Sequence, residues 1–138
     1  MNDQIHLVVA TPCFGGQVSS IYASSIFQLQ RAVRAKSNID LKVLMRDGDA
    51  LITRARANLV TMFLDDPAAT HFLFVDADIG FTPDQVYRLL ESEAAQLAPQ
   101  CFSGAVHHIG IGVRILVAEI QVVDAADGNH MDVAMRHL

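Results

Sequence analysis

Apolar residues in this chain fall into short unbroken runs, and between the runs they recur at helical spacing. Residues 5–10 (IHLVVA) form a run rich in β-branched side chains, the pattern of a strand buried on both faces. Residues 11–16 (TPCFGG) follow, a loop by their Pro and Gly content. Val18, Tyr22, Ser25 or Ile26, Leu29 and Val33 then mark one face of a helix over 17–36. Residues 40–45 (DLKVLM) read as a second strand, and 46–49 as a turn. Ile52, Ala55, Leu59, Met62 and Phe63 mark a second helix that ends near Asp65-Asp66-Pro67. Residues 71–76 (HFLFVD) are a third buried strand. Thr82 and Gln85 have the spacing of a capping box, and Pro83 suits a first helical position, so a third helix opens there.

This order predicts an α/β fold, a three-layer α/β/α arrangement with a mostly parallel, doubly wound, Rossmann-like sheet. Ligands in such sheets bind beyond the carboxyl ends of the strands. Three loops, 11–16, 46–50 and 77–81, are therefore expected to face one site. From Ser92 onward the alternation weakens. Residues 104–123 offer one or two strands and 124–129 a turn, so the chain divides at 1–91 and 92–138, with the second part expected to pack on the same domain.

The 138 residues suit one domain, and a 51% hydrophobic content excludes a disordered chain. The net charge is −5 with no basic cluster, which argues against a nucleic-acid partner. Cys13 and Cys101 sit in no metal-ligand spacing and read as reduced thiols of a cytoplasmic protein. The first residues lack the positive charge of a secretory signal. The longest apolar stretch, 104–123, is interrupted by His107, His108, Arg114 and Glu119, which excludes a membrane span. An open sheet edge would also offer a surface for pairing with a second copy.

The sharpest chemical feature is Asp76-Ala77-Asp78, two carboxylates directly after an apolar strand. They repel one another unless a cation or hydrogen-bond donors join them. Paired at a strand end, they suit Mg²⁺ or Mn²⁺ bound alongside phosphate oxygens. The first turns of the second helix carry Thr53, Arg54, Arg56 and Asn58, where a helix start favours anions. Arg54 and Asn58 share one face. Arg56 falls within the apolar arc, where it needs a partner: one carboxylate of Asp76/Asp78, or a ligand phosphate. The two glycines of the 11–16 loop allow close backbone approach, but neither a GxGxxG nor a Walker pattern is present. His107-His108 completes no metal site, Cys13 shows no histidine partner, and Asp124, Asp127 and Gly128 miss the calcium-loop spacing.

Residues 11–16 (TPCFGG), 51–60 (LITRARANLV) and 74–81 (FVDADIGF), in this order, resemble the nucleotide-binding half of GT-A-fold glycosyltransferases. The resemblance covers about residues 5–91. It implies a nucleotide-diphosphate sugar donor, such as a UDP- or GDP-sugar, and an acceptor the sequence does not identify. Thr11 and Pro12 would contact base and ribose, and Arg54, Arg56 and Asn58 would line the nucleotide or diphosphate. Asp76 would lie near ribose and metal, and Asp78 would hold the divalent ion that bridges the phosphates. Residues 92–138 match no part of the family pattern, and no general base is assigned among Glu93, Glu119, Asp124, Asp127 and Asp132. The resemblance thus speaks for donor binding more than for turnover. Two rivals use the same residues. A haloacid-dehalogenase-type phosphatase also ends a strand in DxD, but no lysine follows Asp78. A non-catalytic nucleotide-binding or interaction module needs no further residues.

Overall fold

The computed structural model describes residues 4–91. The expectations for 92–138, Cys101 and the His107-His108 pair included, lie outside them. The described chain runs β1 (Ile5–Pro12), a 3-10 turn (Phe14–Gly16), α1 (Ser20–Arg34), β2 (Ile39–Arg46), α2 (Ile52–Leu64), β3 (His71–Phe74) and α3 (Pro83–Glu91). The architecture is mixed α/β. Its three strands lie all parallel in the order β2-β1-β3.

Register explains the core. β1 pairs with β2 from Ile5 opposite Ile39 to Pro12 opposite Arg46, and with β3 from Leu7 opposite His71 to Ala10 opposite Phe74. Side chains alternate across a sheet. Leu7, Val9, Leu73 and Val75 therefore pack with Tyr22, Leu29 and Val33 of α1 and with Val86 and Leu89 of α3. Val8, Ala10, Phe72 and Phe74 meet Leu59 and Phe63 of α2 on the other face. Phe72 is the hinge of that second cluster. Its ring lies 4.9 Å from Phe63 and 4.7 Å from Phe74, the latter edge-on. Helices on both faces are what two crossovers in opposite directions require when each is right-handed.

Several element ends differ from the sequence expectation, each for a local reason. β1 runs through Thr11 and Pro12 instead of ending at Ala10, because β2 supplies Met45 and Arg46 as partners. A terminal strand position tolerates a residue without an N–H, and the Cys13 N–H closes the ladder onto the Arg46 carbonyl at 2.8 Å. α1 begins at Ser20, not Gln17. Gln17 and Ser19 are extended, and the Ser19 hydroxyl accepts from the Tyr22 N–H as an N-cap. β3 stops at Phe74. One further bond, from the Val75 N–H to the Ala10 carbonyl, leaves both aspartates just past the sheet. α3 opens on the capping box read from the sequence: the Thr82 N–H donates to Gln85 Oε1 at 2.8 Å, and the Gln85 N–H to Thr82 Oγ1 at 3.4 Å. No helix among the described residues is long and apolar enough to cross a membrane.

Candidate functional site

The strand order places a break in connectivity between β1 and β3. The chain leaves β1 toward β2 on one side and returns to β3 on the other. The carboxyl ends of these two neighbours therefore diverge, and a crevice opens between their exit loops. In this molecule it is an open cleft of about 490 Å³, with Pro12 and Phe14 from the β1 side, Val18 and Ser19 from the lead into α1, Ile52 from α2, and Asp76, Ala77 and Asp78 from the β3 side. That volume is in the range of small-molecule sites.

The lining is apolar on one side and anionic on the other. Phe14 is 78% exposed on the 3-10 turn. Gly15 and Gly16 both have φ of +69°, a left-handed backbone that other residues adopt at a cost, so the glycines are what let the turn present Phe14 outward. Val18 and Ile52 add exposed aliphatic surface.

The two carboxylates are not equivalent. Arg56 Nη2 donates to Asp76 Oδ1 at 3.0 Å and to Oδ2 at 3.3 Å, and both side chains are half-buried. The guanidinium also lies 5.5 Å from the Phe74 ring. An arginine on the inner arc of α2 is thus paired through Nη2 with the loop after β3, one of the two partners open to it from sequence. Asp78 is exposed and makes no ion pair among the described residues. No three His, Cys, Asp or Glu side chains come together among the described residues, which offer a cation this one pair of carboxylates here. That donor set fits Mg²⁺ or Mn²⁺, which bind through one or two carboxylates plus phosphate oxygens and water.

Other expected site residues stand elsewhere. Thr11 is fully buried, and its Oγ1 lies 2.6 Å from the Tyr22 hydroxyl. Its side chain faces α1, so Pro12 alone represents that pair in the cleft lining. Arg54 is exposed and turned toward its own helix start. Its Nε and Nη2 each donate to Asp49 at 2.8 Å, and Asp49 also accepts from the Leu51 N–H at 3.0 Å. These donors hold the Asp49 carboxyl below its ordinary range, Arg54 first and the backbone N–H second. Asn58 is half-buried on α2 and, like Arg54, does not line the cleft. The Cys13 thiol is buried; desolvation, then the nearby Asp47 charge, pushes its pKa up. A raised pKa favours the neutral thiol and argues against a nucleophile there.

Sequence reasoning did not single out Phe14 or Ile52 as lining residues, nor Tyr22 and Ser25 as anything but helix-face positions. An aromatic between a proline and a pair of glycines was the available signal for Phe14. No family model, no curated protein and no solved structure matches the chain.

Proposed function

We propose that this chain carries the donor-binding part of a GT-A-type glycosyltransferase and binds a nucleoside-diphosphate sugar at the β1/β3 cleft. In this reading the parallel sheet with helices on both faces is the three-layer, Rossmann-like core of that fold. The observation that carries the proposal is the meeting of Pro12 and Phe14 with Asp76 and Asp78 across one cleft at the point where the strand order reverses. A ligand that suits it has a flat, weakly polar end for the Phe14 side and an anionic, cation-bridged end for the carboxylate side. A nucleoside diphosphate has both.

Asp78, exposed and in no ion pair among the described residues, takes the divalent ion, Mn²⁺ or Mg²⁺. Asp76 is oriented by Arg56 and is the second carboxylate for the ion among the described residues. When bound, the ion supplies charge stabilisation for a departing nucleoside diphosphate. The protein's own task is to hold two anionic side chains at one lip without folding them onto each other, and the Arg56 contact does this for Asp76. The acceptor, and the group that would activate it, belong to no described residue.

Calorimetric titration with UDP- and GDP-sugars, with and without Mn²⁺, tests the reading. Metal-dependent binding is expected for the wild-type chain, weakened at least about 100-fold in Asp78→Ala, a loss on the order of 3 kcal/mol. Equal binding by the two proteins overturns the metal assignment. Turnover of a phosphomonoester in place of sugar-nucleotide binding would move the site to the phosphatase class.

A further inference from the structure

The buried face of α1 carries two hydroxyls where a core-facing stripe calls for apolar residues. Tyr22 and Ser25 are 0% and 4% exposed and lie three residues apart, in line with Leu29 and Val33. A buried hydroxyl costs stability unless it is bonded. Both are bonded, and each reaches a different lip of the cleft. The Tyr22 hydroxyl meets Thr11 Oγ1 at 2.6 Å, one residue before Pro12. Ser25 Oγ donates to the Ile21 carbonyl at 2.9 Å and accepts from the Phe81 N–H at 2.9 Å, at the far end of the loop that bears Asp76 and Asp78. The near half of that loop is tied to the same helix start, where the Ser19 N–H donates to the Ala77 carbonyl at 2.8 Å.

Gly80 shows how close the loop and helix lie. A Cβ added there would stand 2.6 Å from Ile21 Cγ1 and 2.8 Å from Cδ1. The glycine is explained by this approach: a side chain there would push the loop away from α1 and from the Ser25 hydroxyl.

We infer that α1 sets the width of the cleft, with Ser25 the positioning residue for the carboxylate loop and Tyr22 the positioning residue for the Pro12 lip. The ligand side of this inference rests on the donor-site reading; the mechanical side does not. Neither residue touches the ligand. Each acts through a backbone or side chain of the segment that does.

The test uses the full chain and Ser25→Ala, with two readouts. Without metal, amide exchange at residues 79–81 is expected to accelerate about tenfold or more relative to wild type. With metal, Mn²⁺ affinity read by electron paramagnetic resonance is expected to fall about tenfold, the scale on which residues that orient metal ligands act. Val33→Ala is the control on the same helix face, away from the cleft: it should lower Tm and leave both readouts unchanged. Ser25→Thr, which keeps the hydroxyl, should recover part of the loss. If Ser25→Ala proves too unstable to measure, Gly80→Ala should give the same two effects by crowding, and Ile21→Ala added to it should reverse them. Unchanged exchange at 79–81 in Ser25→Ala overturns the positioning role. Val33→Ala weakening Mn²⁺ as much as Ser25→Ala does the same. Absence of Mn²⁺ binding by the wild type, with exchange responding as expected, overturns the donor-site reading and keeps the positioning.

Discussion

Arg54 and Arg56 stand two residues apart on α2, each holds a carboxylate, and the two pairs serve different levels of structure. Arg54 reaches back five residues to Asp49, which also accepts the Leu51 N–H; the result is an exposed knot at a helix that has no side-chain N-cap of its own. Arg56 reaches twenty residues forward to Asp76 and joins α2 to the loop after β3. The first pair is local and would form in an isolated helix start. The second exists only when the sheet has placed β3 beside β1. Sequence spacing made both arginines candidates for an anionic ligand, and only Arg56 lay on the apolar arc where a partner is required. The fold separates them: the local pair is spent on the helix, and the long-range pair shapes the cleft.

The sharpest way to break this contrast is Arg56→Ala. It leaves Asp76 without its guanidinium and removes the contact with Phe74. A loss of roughly 1–2 kcal/mol in urea unfolding is expected, less than for a fully buried pair because both side chains keep some solvent. A double-mutant cycle with Asp76→Ala should show coupling, since the two residues share one hydrogen-bonded contact.

Arg54→Ala should cost less, because its guanidinium is already in water. Its effect should shrink further in high salt, whereas the Arg56 effect should persist. Equal costs and equal salt dependence for the two variants would erase the distinction.

The smallest effect is a pH dependence. The Asp49 carboxyl sits below its ordinary value in the folded chain. A depressed carboxyl contributes stability above the unfolded value of about 3.9 and loses it as pH falls through the folded value. The stability difference between wild type and Arg54→Ala should therefore be present at neutral pH and vanish in acid. A difference that grows toward low pH would contradict the Asp49–Arg54 assignment.

Local signals were legible and non-local ones were not. The Thr82–Gln85 box and Pro83 placed the start of α3 because each partner lies within one turn. The alternating strands and helices gave the parallel α/β order because periodicity is itself local. The arc of α2 showed that Arg56 needed a partner, and only the sheet brought Asp76 within its reach. Thr11 and Pro12 read as a loop because their strand partners, Met45 and Arg46, lie far along the chain. Ser25 gave no sign of its role, since Phe81, whose N–H it accepts, is fifty-six residues away. The Asp49 partner of Arg54 was not legible either, because it lies in a turn whose geometry spacing alone does not fix.

The central claim is a place, the cleft between β1 and β3, and a chemistry, a divalent ion with a nucleoside diphosphate. Adding Mn²⁺ and UDP or GDP to the isotopically labelled full chain and recording amide spectra tests both at once. The account predicts paramagnetic loss of signal centred on residues 76–78, extending to 13–14 across the cleft, and strongest when nucleotide and metal are present together. Signal loss centred elsewhere, or none at any nucleotide concentration, would contradict it.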